Sequence, residues 1–288
     1  MKLSIITINY NNAAGLKKTL DSVAMQIGTD FEHIIVDGAS TDGSVDVIRN
    51  YEQTLLSNQL PLASNLTWVS EPDTGIYNAM NKGIRMASGE YTLMLNSGDY
   101  LVDEHVIDKV LPLLDGTDII QGNTIEEIRE KKYRNRAYGK SELDFFDVMR
   151  GYFLHQAAFC RRDLFEKYGM FDESYRIIGD TKFFMTCLGK ENASFKYIDL
   201  DIANYDMTGI TAQVNGEWAN RRKLEYSRMR NELYSERLNR HFESNEKKIL
   251  LYDKLYSHKW IWYLVMAITH LHNLLYSKNT IIKKEGLK

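Results

Sequence analysis

Several chemistries are missing from this chain. Its 288 residues hold two cysteines, Cys160 and Cys187, both in apolar surroundings and in no CxxC or Cys/His spacing. A disulfide framework and a zinc site are therefore not indicated, and a reduced, cytosolic compartment is the simpler reading. There is no excess of positive charge: the formal net charge is -3, whereas a nucleic-acid backbone demands a basic surface. No GxGxxG follows the first apolar run. GKS at 139–141 does not end a P-loop, because Arg134 stands where the first glycine belongs. The histidines show no HExxH spacing, and His270-Leu-His272 reads as interfacial or solvated rather than metal-binding. The opening MKLSIITI is apolar, but NYNN follows at once, which suits a first strand and not a signal peptide.

What is present is an ordinary globular composition, 44% hydrophobic and 26% charged, long enough to bury a substantial core. Through the first hundred residues short β-branched runs alternate with helical patterns, the signature of βα units around a mostly parallel sheet. SIITI (4–8), HIIV (33–36), LTWVS (66–70) and YTLML (91–95) are the expected strands. Leu16, Leu20, Val23, Ala24 and Ile27 recur at helical spacing behind Asn12, a candidate cap; further helices are expected from Ser44 and over 76–87. Later come a helix near 103–111, strand DIIQ (118–121), an alternating polar stretch at 125–138, strand QAAFC (156–160), a helix from 162, a helix after Asp180 and strand FKYIDL (195–200). Residues 213–259 read as helix throughout.

In open α/β sheets ligands bind beyond the carboxyl ends of the strands. Four successive strand ends here carry polar or acidic residues: Asn9-Tyr10, Asp37, Glu71-Pro72-Asp73 and Asp99. Any one alone reads as a turn, since Asp, Asn and Gly dominate turns for backbone reasons. Four in succession mark a candidate site.

The blocks SIITINYNN, IIVDGASTDGS, SEPDTGIYNAMNKGIRMASGEY, LNSGDY and HQAAFCRRDLFEKYGMFDESYRIIGDTKFF resemble the family 2 glycosyltransferases over about residues 3–205. EPDTGIYNAMNKG is most similar to bacterial members that build surface polysaccharides. The resemblance implies a GT-A fold: an α/β domain over 1–212, with a nucleotide-sugar-binding half (1–100) and an acceptor half (101–212), followed by a helical extension over 213–288. It implies that Thr7, Asn9 and Tyr10 cradle the nucleotide base and that Asp37 hydrogen-bonds base or ribose. Asp73 and Lys82 then lie in the block that closes over the nucleotide-sugar, Lys82 being either a phosphate contact or part of a solvated helix face. Asp99 corresponds to the last acid of a DxD-type motif holding Mn2+ or Mg2+. Asn96 and Gly98 stand where many relatives have Asp, so Asn96 and Ser97 are assigned to the nucleotide-sugar and Asp99 carries the metal's protein charge almost alone. Asp180 matches the general base of an inverting transfer, although Gly179-Asp180-Thr181 is also a helix-start pattern. His155 and Gln156 fall near donor sugar and acceptor.

Residues 217–259 carry eleven Lys/Arg against seven Asp/Glu, and seventeen apolar-rich residues (260–276) follow. Leu264, Ala267, Ile268, Leu271, Leu274 and Leu275 form one helical face, flanked by Trp260, Trp262, Lys278, Lys283 and Lys284. That pattern suits a helix lying in a membrane interface, and equally one packed on the catalytic domain or on a second subunit as a homodimer. The expectation is a metal-assisted enzyme, peripheral at the inner face of the plasma membrane. It transfers a sugar from a nucleotide-diphosphate sugar, a UDP-sugar, to a glycan or lipid-linked acceptor, with no nucleic-acid partner. The rivals are a nucleotidyltransferase, which needs a glycine-rich basic loop where NYNNAAGLKK stands, and a non-catalytic sugar-nucleotide-binding protein.

Overall fold

The computed structural model describes residues 1–128, 131–207, 216–256 and 267–268. They divide into two compact units, Met1–Leu233 and Tyr234–Lys288. The first unit is built on nine strands: β1 (Leu3–Asn9), β2 (Phe31–Asp37), β3 (Leu66–Ser70), β4 (Tyr91–Met94), β5 (Tyr100–Leu101), β6 (Ile119–Ile128), β7 (Lys131–Asn135), β8 (Ala158–Arg161) and β9 (Phe195–Tyr205). They lie in the order β3-β2-β1-β4-β8-β6-β9-β5, with β7 beside β6. The β3-β2-β1-β4 half is parallel, and β8 runs antiparallel between β4 and β6. The expected strands thus appear, but FKYIDL extends to Tyr205, and the alternating stretch at 125–138 becomes the end of β6 folded back on β7.

The helices of this unit are α1 (Ala13–Ala24), α2 (Ser44–Ser57), α3 (Ile76–Met86), α4 (Val106–Val110), α5 (Phe145–Arg150), α6 (Asp163–Tyr168), α7 (Gly179–Met185) and α8 (Glu217–Leu233). Asn12 caps α1 as expected, its side chain accepting from the Gly15 N–H. Leu16, Leu20 and Val23 of α1 and Ile48, Tyr51 and Leu55 of α2 bury against Leu3, Ile5 and Ile35 in one apolar cluster. Burial of these side chains, each contributing about 1.5–3 kcal/mol, holds the helices to the sheet.

Parallel register decides where the polar strand ends meet. Asn9 pairs with Asp37, and Asp37 with Ser70, so three strands end in one row. On α3, Asn81 treats Phe171 as a strand would: its Nδ2 donates to the Phe171 carbonyl (2.9 Å) and its Oδ1 accepts the Phe171 N–H (3.1 Å). Asn78 and Asn81 also donate to Glu173. This seam ties the helix after the third strand to the loop that leads into α7. Behind α7, Phe183 stacks on Phe165 (centroids 4.4 Å, planes 6° apart) and Phe184 on Phe153 (5.0 Å, 25°), pinning a helix of only seven residues.

The sequence places a boundary at 212/213 and a continuous helix over 213–259; the structure differs on both. The first unit runs through Leu233, because Ala219, Glu225 and Met229 of α8 are buried in it. The helix breaks at Tyr234-Ser235, where Ser235 starts α9 (Glu236–Tyr256) by accepting the Leu238 and Asn239 N–H groups. Apart from Ala267 and Ile268, the 260–276 segment lies outside the described residues. Among the described residues no helix is long and apolar enough to cross a membrane.

Glu225 reaches from α8 to the loop before α7, accepting the N–H groups of Arg176 (2.9 Å), Ile177 (2.9 Å) and Ile178 (3.3 Å). Glu225→Ala leaves these donors, two of them in buried bonds, without a partner, and is expected to lower unfolding free energy by roughly 3 kcal/mol in urea titrations. A loss below about 1 kcal/mol would mean that water replaces the carboxylate at no cost.

Candidate functional site

The row of strand ends forms the first part of the site. Asp37, fully buried at the end of β2, accepts Asn9 Nδ2 (2.8 Å), Ser40 Oγ (2.6 Å), the Ser40 N–H (2.9 Å) and Ser70 Oγ (2.7 Å). Burial alone would raise its pKa, yet these donors hold it below the usual carboxylate value. Its four lone-pair directions are thus taken by the protein, and what it presents beyond the sheet is an ordered rim rather than an open carboxylate. Tyr10 stands on that rim, 67% exposed. Asp73 accepts the Gly75 N–H through Oδ1, while its Oδ2 lies against the Gly38 backbone.

Two expected site residues are engaged elsewhere. Thr7 is fully buried one pleat below Asn9, its Oγ1 2.9 Å from Nε2 of His33. His33 is itself bonded to Tyr51 and pushed down to about 3 by burial. Lys82 reaches back to the loop it follows, bonding the Pro72 carbonyl (2.8 Å) and Glu71 (2.7 Å).

The second part is the turn Asn96-Ser97-Gly98-Asp99. Thr19 of α1 organises it: the hydroxyl accepts the Gly98 N–H (3.0 Å) and donates to the Asp99 carbonyl (2.6 Å). Asn12 donates to the Ser97 carbonyl (3.1 Å). Gly98 has φ +108°, and a Cβ there would come within 2.5 Å of Asp206 Oδ2, so glycine is required on both counts. The Asp206 N–H donates to Asp99 Oδ1 (2.8 Å). Burial pushes Asp99 up to about 7; the Asp206 charge adds to this, partly offset by the Asp206 N–H and by His155.

The third part joins the two halves of the unit. His155 begins a short 3-10 turn, His155–Ala157, in which Gln156 is buried. Its Nδ1 lies 3.0 Å from Asp180 Oδ2 and its Nε2 3.1 Å from Asn96 Nδ2. Asn96 Oδ1 is buried with no hydrogen-bond partner among the described residues. With Nδ2 toward the ring the amide donates to a neutral imidazole; turned over, it would accept from an imidazolium. Burial would lower the pKa of His155, but the bond to Asp180 and its charge raise it. Helix α7 starts at Gly179, as the Gly179-Asp180-Thr181 pattern implies, with Asp180 in its first turn and no side-chain cap bond. Although buried, Asp180 is held below its usual value by His155, the Thr181 N–H and Tyr77, whose hydroxyl donates to Oδ1 (3.0 Å).

The structure thus brings Asn96, His155 and Asp180 into one chain of contacts, sets Asp99 beside Asp206, and gathers Asn9, Tyr10, Asp37 and Asp73 at the rim. Sequence reading missed Thr19, Tyr77, Asp206 and Glu225. Asp206 follows the last residue of β9, so the strand-end rule would have found it had the strand been drawn five residues longer.

No group of three or more His, Cys, Asp or Glu side chains arranged for a metal occurs among the described residues. The donor chemistry nonetheless fits a hard divalent ion: Asp99 and Asp206 are adjacent carboxylates, and one or two with phosphate and water suffice for Mg2+ or Mn2+.

A parallel sheet with polar side chains gathered at its strand ends, continued by an antiparallel and mixed half, has the arrangement of a GT-A fold. Solved structures of similar architecture agree. Staphylococcus aureus TarS 1-349 in complex with UDP-GlcNAc aligns with TM-score 0.59 at 18% identity, over 81% of this chain and 74% of that one. A mannosyltransferase from Pyrobaculum calidifontis in complex with GDP-Man and Mn2+ gives 0.52 at 23%, over 70% and 56%. This chain spans 44% of a longer TarS chain. The family model for glycosyl transferase family 2 matches residues 4–169. The PGL/p-HBAD biosynthesis glycosyltransferase of Mycobacterium tuberculosis is 31% identical over 209 residues, 72% of this chain and 77% of the relative. The chain belongs to the family 2 glycosyltransferases.

The raised Asp99 fixes a pH dependence. Its folded pKa of about 7 lies above the carboxylate reference of 3.8, so its contribution is fully present below the reference value and is lost as pH rises through about 7. In metal-free buffer Asp99→Asn is expected to be more stable than wild type at about pH 8, by on the order of 1–3 kcal/mol, and equal to it near pH 4. Denaturation across that range checks this; a gap independent of pH would show that Asp99 does not titrate there.

Proposed function

We propose that the protein is an inverting transferase that moves a sugar from a nucleotide-diphosphate sugar, a UDP-sugar, to a hydroxyl of a glycan or lipid-linked acceptor in the assembly of bacterial surface polysaccharide. The observation that carries this is the single imidazole of His155 spanning from Asn96, on the nucleotide-binding side, to Asp180, on the acceptor side. Further support comes from the UDP-GlcNAc complex of TarS and from the mycobacterial relative, named a PGL/p-HBAD biosynthesis glycosyltransferase.

In this reading Asn9, Tyr10, Asp37 and Asp73 form the rim that receives base and ribose, with Asn96 and Ser97 deeper along the donor. Asp180 takes the proton of the acceptor hydroxyl as its oxygen bonds the anomeric carbon; the bond from that carbon to the diphosphate breaks, its electron pair leaving with the phosphate. His155 holds the carboxylate oriented. Asp99 and Asp206 would hold a divalent cation, which when bound neutralises charge on the departing diphosphate. The basic, aromatic region through 260–276 would keep the enzyme at the inner membrane face, near an anionic lipid-linked acceptor.

Asp180→Asn is expected to lower turnover by about 100-fold or more while leaving nucleotide affinity nearly intact, read by nucleoside-diphosphate release and by thermal shift with UDP- and GDP-sugars. Equal turnover by the variant removes Asp180 from the base role. Asp99→Ala should abolish the extra thermal shift that Mn2+ adds to UDP; an undiminished manganese effect would count against it as a ligand.

A further inference from the structure

Asp180 needs its lone pair aimed at a hydroxyl, yet it sits on a helix of seven residues. His155 holds only one of its oxygens. The other is held from a different part of the chain, by Tyr77 in the first turn of α3, directly after the Glu71–Gly75 loop.

The phenol is 3% exposed. Its ring lies flat against Gly179, the residue before Asp180: a Cβ at Gly179 would fall 2.8–2.9 Å from three ring carbons. The absence of a side chain at 179 is what lets the ring reach the carboxylate. Burial, and then the Asp180 charge, push the Tyr77 hydroxyl well above its usual pKa, so it stays protonated and donates its proton to the carboxylate. Around it the Asn81–Phe171 and Asn78–Glu173 bonds fix α3 to the loop that leads into α7. A hydroxyl serving only packing has no need of a charged partner in an aromatic wall, where phenylalanine would fill the same volume at lower desolvation cost.

We propose that Tyr77 is a positioning residue for the transfer: its O–H clamps Oδ1 of Asp180 while His155 clamps Oδ2, fixing the plane of the carboxylate and so the directions in which its remaining lone pairs can accept the acceptor's proton. This rests on Asp180 being the base. Because Tyr77 belongs to the helix that follows the donor-side loop carrying Asp73, it also ties the placement of the base to the donor half of the enzyme. The two clamps set the basicity of Asp180 as well as its direction, since each donates to the charged form. The other groups facing Asp180 are the Thr181 N–H and, from α8, Tyr226 with Arg222 and Arg230 beside it. Asp99 acts on the far side of His155.

The test titrates Asp180 in the full-length protein by NMR of isotope-labelled aspartate, its signal identified by its absence in Asp180→Asn. In Tyr77→Phe the Asp180 midpoint is expected to rise by about one pH unit. A difluorinated tyrosine at position 77, a stronger donor that keeps the buried hydroxyl, is expected to lower it. The second substitution keeps the proposal testable if Tyr77→Phe folds poorly. The parallel arm follows UDP release from a UDP-sugar with water as acceptor, where Tyr77→Phe should lower kcat about tenfold with the donor KM unchanged. An unmoved Asp180 midpoint in both tyrosine variants overturns the proposal, as does a loss of kcat matched by a rise in donor KM. If Asp180→Asn releases UDP at the wild-type rate, it is the base reading that fails; if Asp180→Asn is inactive and Tyr77→Phe behaves as wild type, only the role of Tyr77 falls.

Discussion

An ionised carboxylate is tolerated inside a protein only where donors converge on it, and the site of this transferase is arranged around meeting that condition at Asp180. Two side-chain donors from separate segments meet there: the Tyr77 hydroxyl and the His155 ring. Each in turn depends on something behind it. Tyr77 is placed by the seam of α3 with residues 171–173, His155 by the turn that ends the chain's approach to β8, and the helix bearing Asp180 by stacked phenylalanines and by Glu225 holding the preceding backbone.

Asp99 presents the opposite case. It is as deeply buried, but beside a second carboxylate and with a single backbone donor to one oxygen, and its pKa is pushed up to about 7. One fold therefore keeps one acid charged by its own donors and leaves another short of compensation. The first is suited to accept a proton, the second to welcome a cation. Such divergence between neighbouring carboxylates is how a single site can separate two roles.

Much of this could be read from the residues in order. The parallel half follows from β-branched runs alternating with helical periods, and Asp37, Asp73 and Asp99 follow from strand ends, because these signals are local. The Asn12 cap was legible for the same reason. What escaped was long-range. The engagement of Thr7 with His33, of Lys82 with Glu71 and of Thr19 with the 96–99 turn depends on which neighbour a fold supplies, and no spacing encodes it. Asp37 read as a ligand contact, yet its oxygens are filled by two serines and an asparagine brought there by register. The C-terminal boundary was misplaced because α8 is polar by composition, and only its buried Glu225 and Met229 show that it belongs to the catalytic unit.

The mutual bond of Asn81 with Phe171 bears on how such enzymes can be recombined. It crosses the midpoint at which a nucleotide half and an acceptor half would be divided, and the recognisable family region, residues 4–169, stops before both Phe171 and Asp180. A chimera that exchanges the donor half at that border inherits a foreign partner for its own Asp180. The transferable module is α3 together with residues 171–185 and α8, a unit discontinuous in sequence and continuous only in space.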